Sequence, residues 1–232
     1  MTPPKGPVSG TQLAVQILVM ALVFGACLFV PAGTFRWPGA WVFMGLMFGF
    51  TIALSVWLMR HDPQLLAERM TGIGRSDQEK WDKVLLSIVA AAFFAWLVVM
   101  GLDARFRWSA MPPSLEAVGA LLLIASFEIF YLTFRENAFL SPAVRIQTER
   151  AHRVVRTGPY RLVRHPMYAG VIPFAVGTAL LLGSWYGVVG AVLLVALIGR
   201  RAVLEERLLR ERLPGYDAYM EEVRYRFLPG IW

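Results

Sequence analysis

The chain has 232 residues, is 57% hydrophobic and only 17% charged, and carries a formal net charge of +7. Soluble domains are about 45–50% apolar and about 25% charged, so the composition excludes an ordinary water-soluble domain. Cys27 is the single cysteine, which excludes an intrachain disulfide framework.

The first apolar run covers about Leu13 to Val30, after a Pro/Gly-rich tail. It is too long for a signal-peptide core and more spans follow, so it is expected to stay in the protein. Cys27 lies inside it and is expected to pack against other helices. Further runs cover Trp41–Met59, Val84–Leu102 and Leu115–Phe134. A hydrocarbon core of about 30 Å needs roughly 20 helical residues, and each run meets that length. Trp37, Trp41, Trp57, Trp81 and Trp108 sit near the predicted ends, as interfacial aromatics do. Glu128, two turns before Arg135, is expected to face the bundle and meet a polar partner.

Two shorter runs, Ala169–Leu182 and Trp185–Gly199, are joined by Gly183-Ser184. They form either a helical hairpin or two thin crossings. After them, Arg200–Leu213 reads as a helix ended by Pro214-Gly215. Tyr216–Val223 reads as a short helix, and Tyr225–Trp232 as an extended interfacial segment. The expected fold is thus an all-α integral membrane protein with four full transmembrane helices plus a short hairpin, or six spans, and a C-terminal helical tail. No polar or low-complexity linker divides residues 1–232, so one membrane domain is expected, with four spans in 1–134 and the chemistry-bearing part in 135–232.

The positive charge follows this order of segments. The N-terminal tail and the connections 60–83, 135–168 and 200–232 hold 20 of the 23 Lys and Arg residues, and the alternate connections hold 3. The positive-inside rule then puts both termini and the 135–168 connection in the cytoplasm. It accounts for the basicity without nucleic acid.

The densest chemistry lies in Gly158–Gly170, which contains Tyr160, Arg164, His165 and Tyr168 and leads into an apolar run. Ionisable groups at a membrane edge are functional candidates. Pro166 restricts His165 away from helix and suits a first helical turn, whose free N–H groups attract a carboxylate. Arg201 and Glu205 are four residues apart, on one helix face. They read either as a carboxylate for a cation beside a cation for an anion, or as a salt-bridged surface helix. Glu206 and Arg210, at the same spacing, read as a structural pair. No dinucleotide fingerprint, Walker loop, zinc-spaced Cys/His cluster or nucleophile elbow occurs. Any cofactor must then be held by the helices and the tail, and no metal is expected.

Gly158-Pro159-Tyr160, His165-Pro166, Tyr168 and Gly170, then Arg201, Glu205 and Glu206, then Tyr216, Tyr219 and Arg226-Phe227-Leu228-Pro229 follow in order. This combination resembles the isoprenylcysteine carboxyl methyltransferase family, and related phospholipid methyltransferases share part of it. The resemblance covers about the last 90 residues. It implies an integral membrane methyltransferase using S-adenosylmethionine. By family pattern the cofactor contacts Gln147, His152, Arg153, Val154, Val155, Tyr160, His165, Pro166, Met167, Tyr168 and Glu205. Arg201 faces the methyl-accepting group, or supports Glu205. Glu205 can take the cofactor amine, and His165, Arg153 or helix-start N–H groups its carboxylate. Tyr160 and Tyr168 can cover the adenine or the sulfonium. A carboxylate acceptor needs no base, whereas an amine or thiol must lose a proton, which His165 could accept.

The expected function is therefore S-adenosylmethionine-dependent methyl transfer, at the bilayer, to a lipid-like or small apolar acceptor. Two other readings stay open. Sterol-type reductases using a nicotinamide dinucleotide also combine Tyr, Arg and Pro near their ends. A non-enzymatic membrane scaffold could bind anionic lipid through the basic tail.

Overall fold

A computed structural model describes residues 8–70 and 77–232. Lys5 and Arg75, both counted in the charge asymmetry, lie outside the described residues. Eight helices follow in chain order: α1 (Gly10–Ala32), α2 (Pro38–His61), α3 (Pro63–Met70), α4 (Lys80–Phe106), α5 (Pro113–Glu136), α6 (Pro166–Leu181), α7 (Trp185–Arg212) and α8 (Tyr216–Glu222). No strand occurs among the described residues. Five of these, α1, α2, α4, α5 and α7, are long and apolar enough to cross a membrane. The chain is a multi-pass membrane protein of the expected all-α class.

The local signals explain the helix ends. Pro38, Pro113 and Pro166 open α2, α5 and α6, where a missing N–H leaves no backbone bond unmade. Gly33, with φ 67°, closes α1 by donating its N–H to the carbonyls of Phe29 and Val30. In hydrocarbon a backbone must satisfy its own hydrogen bonds, which favours long unbroken helices. Their outer faces carry exposed apolar side chains such as Leu22, Val30, Leu121, Val189 and Val192. Their inner faces meet in an aromatic core of Phe24, Phe43 and Phe48, with Phe93 and Phe94 packed on Phe24. Cys27 packs against this core as expected.

Helices α6 and α7 form a hairpin that turns at Gly183, φ 74°. Ser184 caps α7 by accepting the Gly187 N–H at 2.8 Å, and its hydroxyl donates to Asp103 near the end of α4. At the other end of the bundle, Arg201 of α7 pairs with Asp82 in the first turn of α4. Between those two aspartates α4 rises about 32 Å at 1.5 Å per residue. The hairpin therefore runs beside α4 for that depth, although α6 itself has only 16 residues. Its seat on α5 depends on glycine. A Cβ on Gly119 would lie 2.4 Å from the Leu181 nitrogen and 2.7 Å from the Gly177 oxygen.

Three local expectations change. The stretches Trp185–Gly199 and Arg200–Leu213 are one helix, because nothing at Gly199-Arg200 interrupts α7 before the Pro214-Gly215 stop. Only the start of Tyr225–Trp232 is extended: the N–H groups of Arg164 and His165 each donate, at 2.9 Å, to the carbonyls of Tyr225 and Arg226. Gly230, φ 83°, then turns the chain so that Arg226 and Phe227 donate to the Trp232 carbonyl. Glu128 is exposed on the outer face of α5 and has no ion pair among the described residues. The inward stripe of α5 runs through Leu123, Ser126, Phe127 and Phe134, and position 128 falls about 100° beyond Phe127.

Candidate functional site

One end of the bundle collects the polar residues. There the start of α4, the end of α5, the start of α6 and the distal half of α7 surround a cavity of about 320 Å³. This lies within the roughly 300–1,000 Å³ of small-molecule sites.

Its floor is a chain of hydrogen bonds. Arg201 donates through Nε to Asp82 Oδ1 at 2.8 Å and through Nη2 to the Pro142 carbonyl at 2.7 Å. Its Nη1 donates to the Tyr168 hydroxyl at 2.8 Å, which in turn donates to Glu205 Oε2 at 2.6 Å. Arg201 and Glu205, four residues apart, are thus linked through a phenol contributed by α6. Asp82 is fully buried and also accepts the Val144 N–H at 2.8 Å. It fixes the connection before the site as well as Arg201. Glu205 is half-buried, and its Oε1 has no partner among the described residues.

Behind this row lies a second charged cluster. Glu206 is 3% exposed. Its Oε1 accepts from Arg164 Nε at 2.7 Å and lies 3.2 Å from His165 Nε2, and its Oε2 accepts from Arg226 Nε at 2.7 Å. Arg164 also donates to the carbonyls of Val223 and Arg224, at 2.8 and 2.6 Å. The expected Glu206–Arg210 pair does not form, since Arg210 pairs with Asp217 at 2.8 Å. Position 206 points into the protein and Arg210 to its surface. Glu206 thereby ties α6, α7 and the C-terminal turn together.

The connection from α5 to α6 forms the opposite wall. His152, Arg153, Val154, Val155 and Tyr160 line the cavity, with His165, Met167 and Tyr168 from the start of α6. Val154 and Val155 leave their backbone groups without a hydrogen bond among the described residues. Arg153 is exposed and has no ion pair among them. The His152 ring stacks on Phe139, centroids 4.6 Å apart, and its Nδ1 accepts the Gln147 N–H at 3.4 Å. Burial, with Arg145 and Arg150 adding to it, pushes its pKa down to about 4, so the imidazole is neutral at pH 7. The Tyr160 hydroxyl accepts from Asn137 at 2.6 Å, and burial raises its pKa.

Two expected site residues stand away from the cavity. Gln147 is fully buried and holds the connection together, donating to the Phe139 carbonyl at 2.6 Å and accepting from Arg150 at 3.0 Å. Pro166 is buried in the first turn of α6, where it sets the direction of Met167 and Tyr168. Asp82 and Asn137 support the site and were missed in the sequence, and Tyr219 was read there as part of the motif without a role at the site. A lone acid in the first turn of an apolar helix was the only available sign of Asp82. Tyr219 donates to the Tyr160 carbonyl at 2.7 Å from a helix nearly sixty residues away.

A second cavity, of about 620 Å³, lies between the long helices and is lined almost wholly by apolar side chains. Arg69, Leu86 and Met167 line both cavities, so the polar and apolar spaces meet at these three side chains.

Residues 115–214 match the family described as phospholipid methyltransferase. Two curated proteins, each described as a probable protein-S-isoprenylcysteine O-methyltransferase, come from Oryza sativa subsp. indica and Oryza sativa subsp. japonica. Both are 34% identical to the chain over 82 residues, which are 34% of this chain and 43% of each relative. The chain thus aligns with less than half the length of these relatives. The match includes the motif residues from Gly158 to Glu206 and ends before Tyr216, Tyr219 and Arg226-Phe227-Leu228-Pro229. Arg69 and Asp82 lie before the matched family region.

Proposed function

We propose that the protein is a membrane methyltransferase that binds S-adenosylmethionine in the polar cavity and methylates an acceptor lying in the apolar one. The observation that carries this is the junction of the two spaces at Arg69, Leu86 and Met167. Methyl transfer to an apolar molecule needs a polar cofactor and a hydrophobic acceptor to meet in line, away from water. The match of residues 115–214 to phospholipid methyltransferases supports an enzyme of this class. The two rice relatives, by their names, act on protein-S-isoprenylcysteine.

The residues present suit the cofactor. The free Oε1 of Glu205 can accept from an ammonium, and Arg153 can pair with a carboxylate. The unbonded backbone groups of Val154 and Val155 can meet the edge of a purine, with Tyr160 as the neighbouring wall. When bound, the cofactor supplies an electrophilic methyl group on a sulfonium. Arg201 is already committed to Asp82, Pro142 and Tyr168. Of its two expected roles, that geometry favours support: it orients the Tyr168 phenol, which orients Glu205. His165 lines the cavity with Nε2 turned to Glu206, and its Nδ1 could accept a proton from an amine or thiol acceptor. The 20-to-3 split of basic residues supports a cytoplasmic position for this end of the bundle.

Calorimetry on the purified protein tests the proposal. Micromolar binding of S-adenosylhomocysteine supports it. Binding of NADPH instead would favour a reductase, and binding of neither a scaffold.

A further inference from the structure

One half-buried cation has no part in the proposed methyl transfer. Arg69 lies in the last turn of α3, outside both the matched region and the motifs. Its Nη1 donates to the Leu140 carbonyl at 3.2 Å, and its guanidinium lies 4.6 Å over the Phe134 ring. No carboxylate pairs with it among the described residues. Of the other cations that line the polar cavity, Arg153 is exposed and the rest are paired. Arg145 is held by Glu68, Asp77 and Glu149, Arg201 by Asp82, and Arg164 and Arg226 by Glu206. Burial and the nearby charge of Arg201 push the Arg69 pKa down to about 10, and it remains charged at pH 7.

A guanidinium has five N–H donors in a planar fork. Arg69 uses one of them among the described residues. An enclosed, uncompensated cation is unfavourable unless an anion completes it. Arg69 occupies the wall shared by the polar cavity and the 620 Å³ apolar cavity. A group reaching it from the apolar side brings its hydrocarbon into a space lined by residues such as Phe93, Phe127 and Phe174.

We infer that Arg69 anchors the acceptor by gripping an oxyanion, carboxylate or phosphate, at the end of an apolar chain lying in the larger cavity. Arg69 is thus a specificity-determining residue that selects anionic amphiphiles over neutral or cationic ones. This rests on the reading of the apolar cavity as the acceptor site. A carboxylate held there is already ionised and needs no base before methyl transfer.

The test uses the full-length protein in a neutral detergent and four probes with the same chain: octanoate, octyl phosphate, octanol and octyltrimethylammonium. Binding is followed by thermal shift for the wild type, Arg69→Met and Arg69→Lys. Detergent partitioning of each probe is the same for all three proteins, so differences between them report the site. The wild type should bind octanoate or octyl phosphate at least about tenfold more tightly than octanol, and the tighter of the two identifies the oxyanion. Arg69→Met should lose that preference while binding octanol as before. Without probe it should melt no lower than the wild type, because an apolar side chain replaces an uncompensated charge. Arg69→Lys keeps the charge but not the fork, and should bind the anion several-fold more weakly. Equal affinity for anionic and neutral probes in the wild type would overturn the inference, as would an undiminished preference in Arg69→Met. If Arg69→Met does not fold, the guanidinium is structural and the inference also fails. S-adenosylhomocysteine binding, measured separately on the wild type, reports on the cofactor reading alone.

Discussion

Replacing Glu206 by glutamine should damage the fold far more than the same change at its neighbour Glu205. Glu206 is 3% exposed and is the shared acceptor for Arg164, His165 and Arg226. Glutamine keeps the shape and removes the charge. Arg164, 6% exposed, then remains buried beside Arg226 without a counter-ion, and the new amide turns N–H donors toward a cluster of donors. Removing one partner of a buried ion pair costs about 3–5 kcal/mol. At about 2–4 °C per kcal/mol for a chain of this size, the melting temperature in detergent should fall by roughly 6–20 °C. Glu205 is half-buried and, among the described residues, accepts only from Tyr168. Glu205→Gln should melt within about 2 °C of the wild type, yet bind S-adenosylhomocysteine roughly 10- to 150-fold more weakly, from a charge-assisted bond of about 1.5–3 kcal/mol. Differential scanning fluorimetry and calorimetry on both variants read the two effects separately. Equal melting temperatures for the two variants would refute the account of Glu206 as the charge that binds α6, α7 and the C-terminal turn.

Further expectations concern stability and orientation. The folded-state pKa of His152, about 4, lies below the ordinary histidine value of 6.5. The unfolded chain therefore binds the proton first, and stability should fall as pH drops from about 6.5 to about 4. His152→Asn, which keeps an acceptor for the Gln147 N–H, should flatten that part of a melting-temperature profile; an unchanged slope would assign it to other groups. Gly119→Ala forces a Cβ into the α6 backbone and should cost about 1–3 kcal/mol as overpacking. Gly45→Ala, with nothing within 4 Å of the new atom, should leave thermal stability unchanged or slightly raised. A reporter fused after Trp232 should be active only in the cytoplasm; activity on the other side would overturn the charge-based orientation.

Much of this arrangement was legible in the chain because it rests on short-range rules. Apolar length gave four of the five long helices, missing α7 because its apolar part runs on into a charged one, and Pro166 opens α6 as its place after His165 implied. Tyr160, His165, Tyr168, Arg201 and Glu205 come together as the motif order implied. What was hidden depends on contacts between distant segments. Spacing put Glu206 with Arg210, but rotation about α7 turns Glu206 inward to partners from α6 and the C-terminal turn. Arg201 read either as Glu205's partner or as a cation for an acceptor, because its real partner Asp82 is 119 residues away. Gln147 was expected against the cofactor and instead cross-links its own loop, a choice between neighbours that one-dimensional spacing does not encode. Arg69 read as one of several loop charges; only the packing of α3 under Phe134 brings it between two cavities.

The most direct test of the central claim follows the methyl group itself. Purified protein is placed in vesicles made from the total lipid extract of the host cells, with methyl-labelled S-adenosylmethionine, and label is counted in the organic-soluble fraction. The account predicts time-dependent transfer by the wild type into an apolar product, and a large reduction with Glu205→Gln at cofactor concentrations below its weakened dissociation constant. No transfer above protein-free vesicles, or equal transfer by both proteins, would contradict it.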